Sequence, residues 1–470
     1  MKEEYKDFKF EKWFIENLIE IYKLDQEKRN LIFQEFKKFI PQTSIRRFIK
    51  DLSKRIKVSE EILQFFFWGA HDCHIFYLEY EDSFTNFFNN TLKLPLINEY
   101  PELSKYIENF EDFKEFFSKL PNIIDFEYYK IFTLEDIFQI KIGFSNIVSL
   151  YLFKINNNYV LIDAGYSLQY WKKAFLKALD ELKISLKDIN FCIITHEHPD
   201  HIGLAADLKE ANPEVKICLH EMAHALAKLR LESTRNDNIE ELSRERINLL
   251  IKYGLEKEEA NLFTQRFGRG GMEFEYIKPD ILLNNDDRIV DGELRIIHSP
   301  GHSVGHICVY YPKKRILFSG DHILSNITPH LGGLAIPGSS EFNKKYHFEN
   351  ILEHYLNSLD RIDQLNSKII LPGHEQIIYD PHARITAIKN HHQNRLYEIS
   401  KIIHKKPSTP LQIALQHFGD DLDQMNKILA ISETLVHLDY LEFKKKVLKK
   451  EKEGVLLYWS EEIWEKIHYE

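Results

Sequence analysis

Thr195-His196-Glu197-His198-Pro199-Asp200-His201-Ile202-Gly203 follows directly on the β-branched run NFCII (190–194). Three His and one Asp stand within six residues at a strand-to-loop-to-helix junction, which is the spacing of metal ligands. A short loop can turn His196 and His198 toward one point, while Asp200 and His201, opening the next helix, turn toward a second. Imidazole combined with carboxylate suits Zn²⁺, Fe or Mn²⁺. A chance polar loop is the plain alternative. It fails because ligand candidates recur at strand ends downstream: His302 in HSPGHSVGH (298–306), Asp321 in FSGDH (318–322) and His374 in LPGHE (371–375). Gly just before a ligand lets backbone and ligand approach closely. Loops beyond the strand ends of a layered α/β sheet can converge on one rim.

Outward from this motif, strands and helices alternate. A helix is expected over about 168–182, a strand at 190–195, a helix over 200–210 and a strand at 215–219. A long helical stretch runs from Glu221 to about Phe267. Strands return at 294–298, 306–311 and 315–320, followed by a helix over about 345–365, a strand at 368–372 and a helix over about 380–404. Upstream, IFQIKIGFSNIVSLYLFKI (137–155) is β-branched, and Asn156-Asn157-Asn158 makes a turn before YVLID (159–163) resumes the strand. The alternation places a layered α/β domain over 132–400. Residues 1–131 read as a helical N-terminal domain, with Ile45, Phe48, Ile49 and Leu52 on one helix face. After Pro407, two helices and a hairpin around Gly454 suggest a winged-helix-like module over 401–470.

Composition bounds the function. At roughly 150 residues per domain, 470 residues suggest about three domains. With 44% hydrophobic residues, 33 Phe and 23 Tyr, there is ample core material, and no apolar run reaches the ~18–20 residues of a membrane span. The charged N-terminal twenty residues hold no secretory segment, and the four Cys (73, 192, 218, 308) lie far apart, which reads as reduced thiols in the cytoplasm. A net charge of −10 disfavours a nucleic-acid partner. The lysines at 444–446, 449 and 450 alternate with Glu442, Glu451 and Glu453 and read as a solvated face. His71-Asp72-Cys73-His74 lacks a distant partner motif and reads as helix polar groups.

HEHPDHIG (196–203), VLIDAG (160–165), HSPGHSVGH, FSGDH and LPGHE stand in the order found in the metallo-β-lactamase superfamily of hydrolases, and residues 131–400 resemble it. The resemblance implies an αββα sandwich with two divalent metal ions, Zn²⁺ first, with Fe or Mn²⁺ as alternatives. It implies His196, His198 and His302 on one metal, Asp200, His201 and His374 on the other, and Asp321 as the bridge. Two ions ~3.5–4 Å apart can share a water and present hydroxide at neutral pH. Asp200 is then the candidate catalytic residue, orienting that hydroxide. Asp163 and His306 are expected behind the ligands, fixing their tautomers. His298 and His322 are expected to be structural, because the ligand set is complete without them.

The branch follows from departures. Flavodiiron proteins carry Glu where this chain has His198, lactamases with a Cys ligand lack Asp at the position of Asp321, and RNA-processing nucleases insert a whole domain before the last motif. The sequence is similar to the glyoxalase II-like group, in a subgroup with a helical insert (221–267) and a C-terminal winged-helix-like module. The implied function is hydrolysis of an ester-like carbonyl by a metal-bridging hydroxide. The expected substrate is a small acyl thioester, of the hydroxyacylglutathione or acyl-CoA kind, since a thiolate leaves without a strong general acid. An endoribonuclease of the same fold and a lactonase or β-lactamase-type hydrolase are the alternatives. The insert, rich in arginine (230, 235, 244, 246, 266, 269), is expected as a lid and substrate wall, and the sequence leaves room for a homodimer.

Overall fold

The computed structural model describes residues 28, 31, 52–58, 63, 129–143, 148–235, 239–267, 275–332, 349–422, 424–465 and 469. Most of the expected N-terminal helical domain, the 71–74 cluster, and the side chains of Arg230, Arg235, Arg266 and Arg269 lie outside the described residues. The chain divides into two compact units: 1–130, 141–147 and 168–181 form one, and 131–140, 148–167 and 182–470 form the other. Every site residue lies in the second.

The opening strands are β1 (Tyr129–Leu134), β2 (Ile137–Ile142), β3 (Val148–Ile155) and β4 (Asn158–Ile162). They are followed by α1 (Gln169–Glu181), β5 (Ile189–Ile193), α2 (Pro199–Ile202), α3 (Ala205–Ala211) and β6 (Lys216–His220). The insert forms three helices, α4 (Glu221–Arg235), α5 (Ile239–Lys252) and α6 (Lys257–Phe267), rather than one stretch. Next come β7 (Ile281–Leu283), β8 (Arg288–Ile289), β9 (Leu294–His298), β10 (Ile307–Tyr311) and β11 (Ile316–Gly320). The chain continues through α7 (Ile351–Asp363), β12 (Ile369–Pro372), α8 (Pro381–Lys405), α9 (Pro410–Phe418) and α10 (Gln424–Phe443), and closes with the hairpin β13 (Leu448–Lys452) and β14 (Val455–Trp459). The helix expected over 200–210 is split into α2 and α3 around Gly203, a residue with low helix propensity.

Strands β1 to β7 form one sheet in sequence order, and β12-β11-β10-β9-β8 form a second. Period-two alternation decides which residues meet between them. Phe153 and Ile162 from the first sheet, with Ile296, Val309, Phe318 and Leu371 from the second, make a common core. Phe153 stacks on Phe318 at 5.1 Å, with Tyr151 edge-on to the same ring. The intervening residues of the second sheet, Ile297, Cys308, Tyr310, Leu317 and Ile370, point the other way, into a core with Leu352, Leu359, Ile388 and Leu396 of α7 and α8. Helices α5 and α6 bury Leu250, Leu255, Ala260 and Phe263 with Ala414, Ile428 and Leu435 of α9 and α10. That half of the insert is therefore an anchored core element, not the lid expected of an arginine-rich insert. Among the described residues, no helix is long and apolar enough to cross a membrane.

Candidate metal centre

All four loops bearing ligand candidates leave strands at one rim of the sandwich. Between β5 and α2, Pro199 opens the helix and carries Asp200 and His201 in its first turn. Gly373 N–H donates to the Gly320 carbonyl at 2.8 Å, drawing the β11 and β12 loops together. A Cβ on Gly373 would stand 2.7 Å from Asp321 Oδ1 and 2.8 Å from His201 Cε1, so glycine is what lets the two ligands meet there. A Cβ on Gly320, at φ +48°, would likewise stand 2.7 Å from His306 Nε2 and 2.7 Å from Thr195 Oγ1.

The donors fall into overlapping groups. Nδ1 of His198 lies 2.9 Å from Nε2 of His196 and 2.9 Å from Nε2 of His302. Nε2 of His374 is 3.4 Å from Asp200 Oδ2, and Nε2 of His201 is 3.9 Å from the same oxygen. Asp321 spans the two groups: its Oδ2 stands 3.4 Å from both His302 Nε2 and His374 Nε2, and its Oδ1 is 3.4 Å from His201 Nε2. His196, His201 and Asp321 are buried, whereas His198, Asp200, His302 and His374 are partly exposed and form the face open to a substrate.

Hydrogen bonds behind the donors fix where the lone pairs point. Asp163, held in the left-handed region at φ +62°, accepts from the Thr195 backbone N–H (2.7 Å), the Thr195 hydroxyl (3.0 Å) and His201 Nδ1 (2.8 Å). With its hydroxyl proton committed to Asp163, Thr195 Oγ1 accepts from His196 Nδ1 at 3.1 Å. The His302 Nδ1–H donates to the His330 carbonyl at 2.8 Å. Each of these imidazoles therefore turns a bare Nε2 inward, the usual state of a metal-ligating histidine. Asp163 lies behind His201, on the side away from the inward Nε2. His306 acts elsewhere than on a tautomer: its Nε2 accepts from the Asp321 backbone N–H at 3.1 Å, placing the Asp321 carboxylate. His298 hydrogen-bonds the Val304 carbonyl and stacks on His220, and His322 hydrogen-bonds Ser358, so neither joins the donor set. Thr195 and His330 went unnoticed in the sequence. Thr195 adjoins the motif, but the His330 carbonyl belongs to no side chain and leaves no signal.

The electrostatics ask for cations. Burial works against a charge on His201, yet Asp321, Asp163 and Asp200 outweigh it and hold this imidazole well above its usual range. Burial is likewise overcome at His374, raised to about 10 by Asp321 and Asp200. Burial also opposes ionisation of Asp200 and Asp321, but the facing imidazoles hold both carboxyls well below the ordinary range. His196, surrounded by other histidines, is pushed far down by burial. His201 Nε2 and Asp321 Oδ1 are buried with no hydrogen-bond partner among the described residues. Orphaned inward donors under a surplus of carboxylate fit divalent metal ions.

The sequence model of the metallo-beta-lactamase superfamily matches residues 145–374, a span that contains the whole donor set. Residues 145–374 are thus a metallo-beta-lactamase superfamily segment. The activity these matches support is that of a metallo-hydrolase, and the two facing sheets are the superfamily's fold. A Bacillus subtilis protein named "Probable metallo-hydrolase YqjP" is 25% identical over 70% of this chain and 96% of its own length. A Drosophila melanogaster "Beta-lactamase-like protein 2 homolog" is 31% identical over 29% of this chain and 40% of its own. Among solved structures, a metallo-beta-lactamase family protein from Thermus thermophilus superposes with a TM-score of 0.55 at 25% identity, covering 70% of this chain and 99% of that one. A beta-lactamase domain protein from Burkholderia ambifaria, at 21% identity and a TM-score of 0.59 over 70% of this chain and 94% of that one, shares the fold.

Proposed function

We propose that the chain is a dinuclear metal-dependent hydrolase of ester-like carbonyls, with an acyl thioester as substrate and Zn²⁺ as the metal. The observation that carries the dinuclear reading is Asp321, whose carboxylate lies at 3.4 Å from imidazoles of both donor groups. His196, His198 and His302 would hold one ion, Asp200, His201 and His374 the other. When bound, such a pair supplies an acidified water and Lewis-acid polarisation of the scissile group. The chain's own part is to set the geometry: Asp163, Thr195 and the His330 carbonyl hold the imidazoles, and His306 holds Asp321. Asp200, on the open face, orients the nucleophile toward the carbonyl.

Leaving-group chemistry supports the thioester. The phenol of Tyr276 is hydrogen-bonded to His224, and burial, then the nearby Glu197, pushes it well above its ordinary range, so it is a poor acid. A thiolate leaves without a proton donor, whereas an alkoxide or amine does not. Ion pairing in the basic hairpin region also favours a small substrate over RNA: Lys444, Lys446 and Lys449 pair with Glu353, Glu462 and Glu442. The test is a zinc-loaded chain assayed on thioesters, lactones, phosphodiesters and RNA. Thioester turnover that disappears in Asp200→Ala is expected; faster cleavage of RNA than of every thioester would overturn the substrate assignment.

A further inference from the structure

A second buried cluster of metal-type donors lies away from the rim, between α8 and α10. His392, Glu433 and His437 each offer a ligand atom, all within 4.8 Å of one another. Glu433 and His437 stand four residues apart and share a face of α10, while His392 comes from the facing α8. Both imidazoles are fully buried.

The local chemistry repeats that of the rim. The His437 Nδ1–H donates to the Glu433 backbone carbonyl at 2.7 Å, leaving a bare Nε2 turned inward. His302 is prepared in the same way by the His330 carbonyl. His437 Nε2 lies 3.0 Å from His392 Nδ1, matching the 2.9 Å separations of His198 from His196 and His302. Two nitrogens each ~2.1 Å from one ion at a tetrahedral angle stand ~3.4 Å apart, so only a few tenths of an ångström separate this pair from ligand geometry. Burial lowers the proton affinity of both rings, that of His437 to about 3, so both are neutral and able to bind a metal at physiological pH.

We propose that His392, Glu433 and His437 form a separate site for one borderline divalent transition ion such as Zn²⁺, clamping α8 to α10. Two imidazoles and one carboxylate suit that class of ion. The site is weaker than the rim: it offers three donors and no shared carboxylate to its ion, and the Arg395 guanidinium lies near enough to bear on both imidazoles. A chelator should therefore strip this ion first.

The test uses the full chain. With His196→Ala and His201→Ala disabling the rim, titration with Zn²⁺ should still fill about one site per chain and raise the melting temperature. Adding His437→Gln should abolish both effects. In the otherwise intact chain, His437→Gln should lose about one zinc equivalent while hydrolysis changes less than about twofold. An intact chain and a His437→Gln chain holding equal zinc would overturn the proposal and leave an imidazole pair sharing a proton. Because that comparison is a difference, a rim that binds no metal would register separately, as the absence of zinc from the His437→Gln chain.

Discussion

The rim and the α8–α10 cluster use the same imidazoles, with nitrogens 2.9 to 3.0 Å apart, but differ in charge and in scaffold. On the rim, Asp163, Asp200 and Asp321 bear on the histidines, and the proton affinity of His201 and His374 rises despite burial. Between the helices, one glutamate faces two histidines beside an arginine, and burial prevails, lowering both rings. Carboxylate count, not histidine count, separates a cluster that demands cations from one that merely accepts one. The scaffolds differ too. Rim donors sit on loops braced by glycine contacts, while the helical donors rely on an i, i+4 pair.

The largest expected effect comes from Asp200→Ala. It should lower hydrolysis at least ~10²-fold, the scale of losing one group that acts on transition-state charge, and leave the helical cluster's zinc in place. Steady-state assay and metal analysis of the same sample check both halves. Next, Gly373→Ala places a methyl against Asp321 and His201, and a displacement of ~1 Å should cost on the order of 10²-fold in kcat/KM without loss of the fold. Asp163→Asn removes the acceptor shared by Thr195 and His201 and should weaken rim metal affinity ~10–100-fold, read by chelator competition, with the helical site unmoved.

Much of the rim was legible because its donors occupy short motifs at strand ends. His196, His198, Asp200, His201, His302, Asp321 and His374 come together as their spacing suggested. The helical cluster was not legible. His392 and His437 lie 45 residues apart on two helices, and only tertiary packing makes them neighbours. The insert was misjudged for a similar reason: Leu250, Leu255 and Phe263 announce a buried face but not what buries it, which is α9 and α10.

His220 gives the smallest effect and the control for both clusters, a buried imidazole facing no carboxylate. Burial, then His298, lowers it from 6.5 to about 3. The unfolded chain takes up this proton below pH ~6.5 and the folded chain does not, so stability present above that pH is lost as pH falls toward 3. The slope is about 1.4 kcal/mol per pH unit for this one group. His220→Asn should flatten the pH dependence of the urea midpoint between pH 6.5 and 5 by that amount; an unchanged slope would show the ring protonated in the fold.

The most direct test of the central claim is the divalent metal content of the purified His437→Gln chain after gel filtration. About two transition-metal ions per chain are predicted, falling to none when His196→Ala and His201→Ala are added. A folded chain that holds no transition metal, and gains none on titration with zinc, would contradict it.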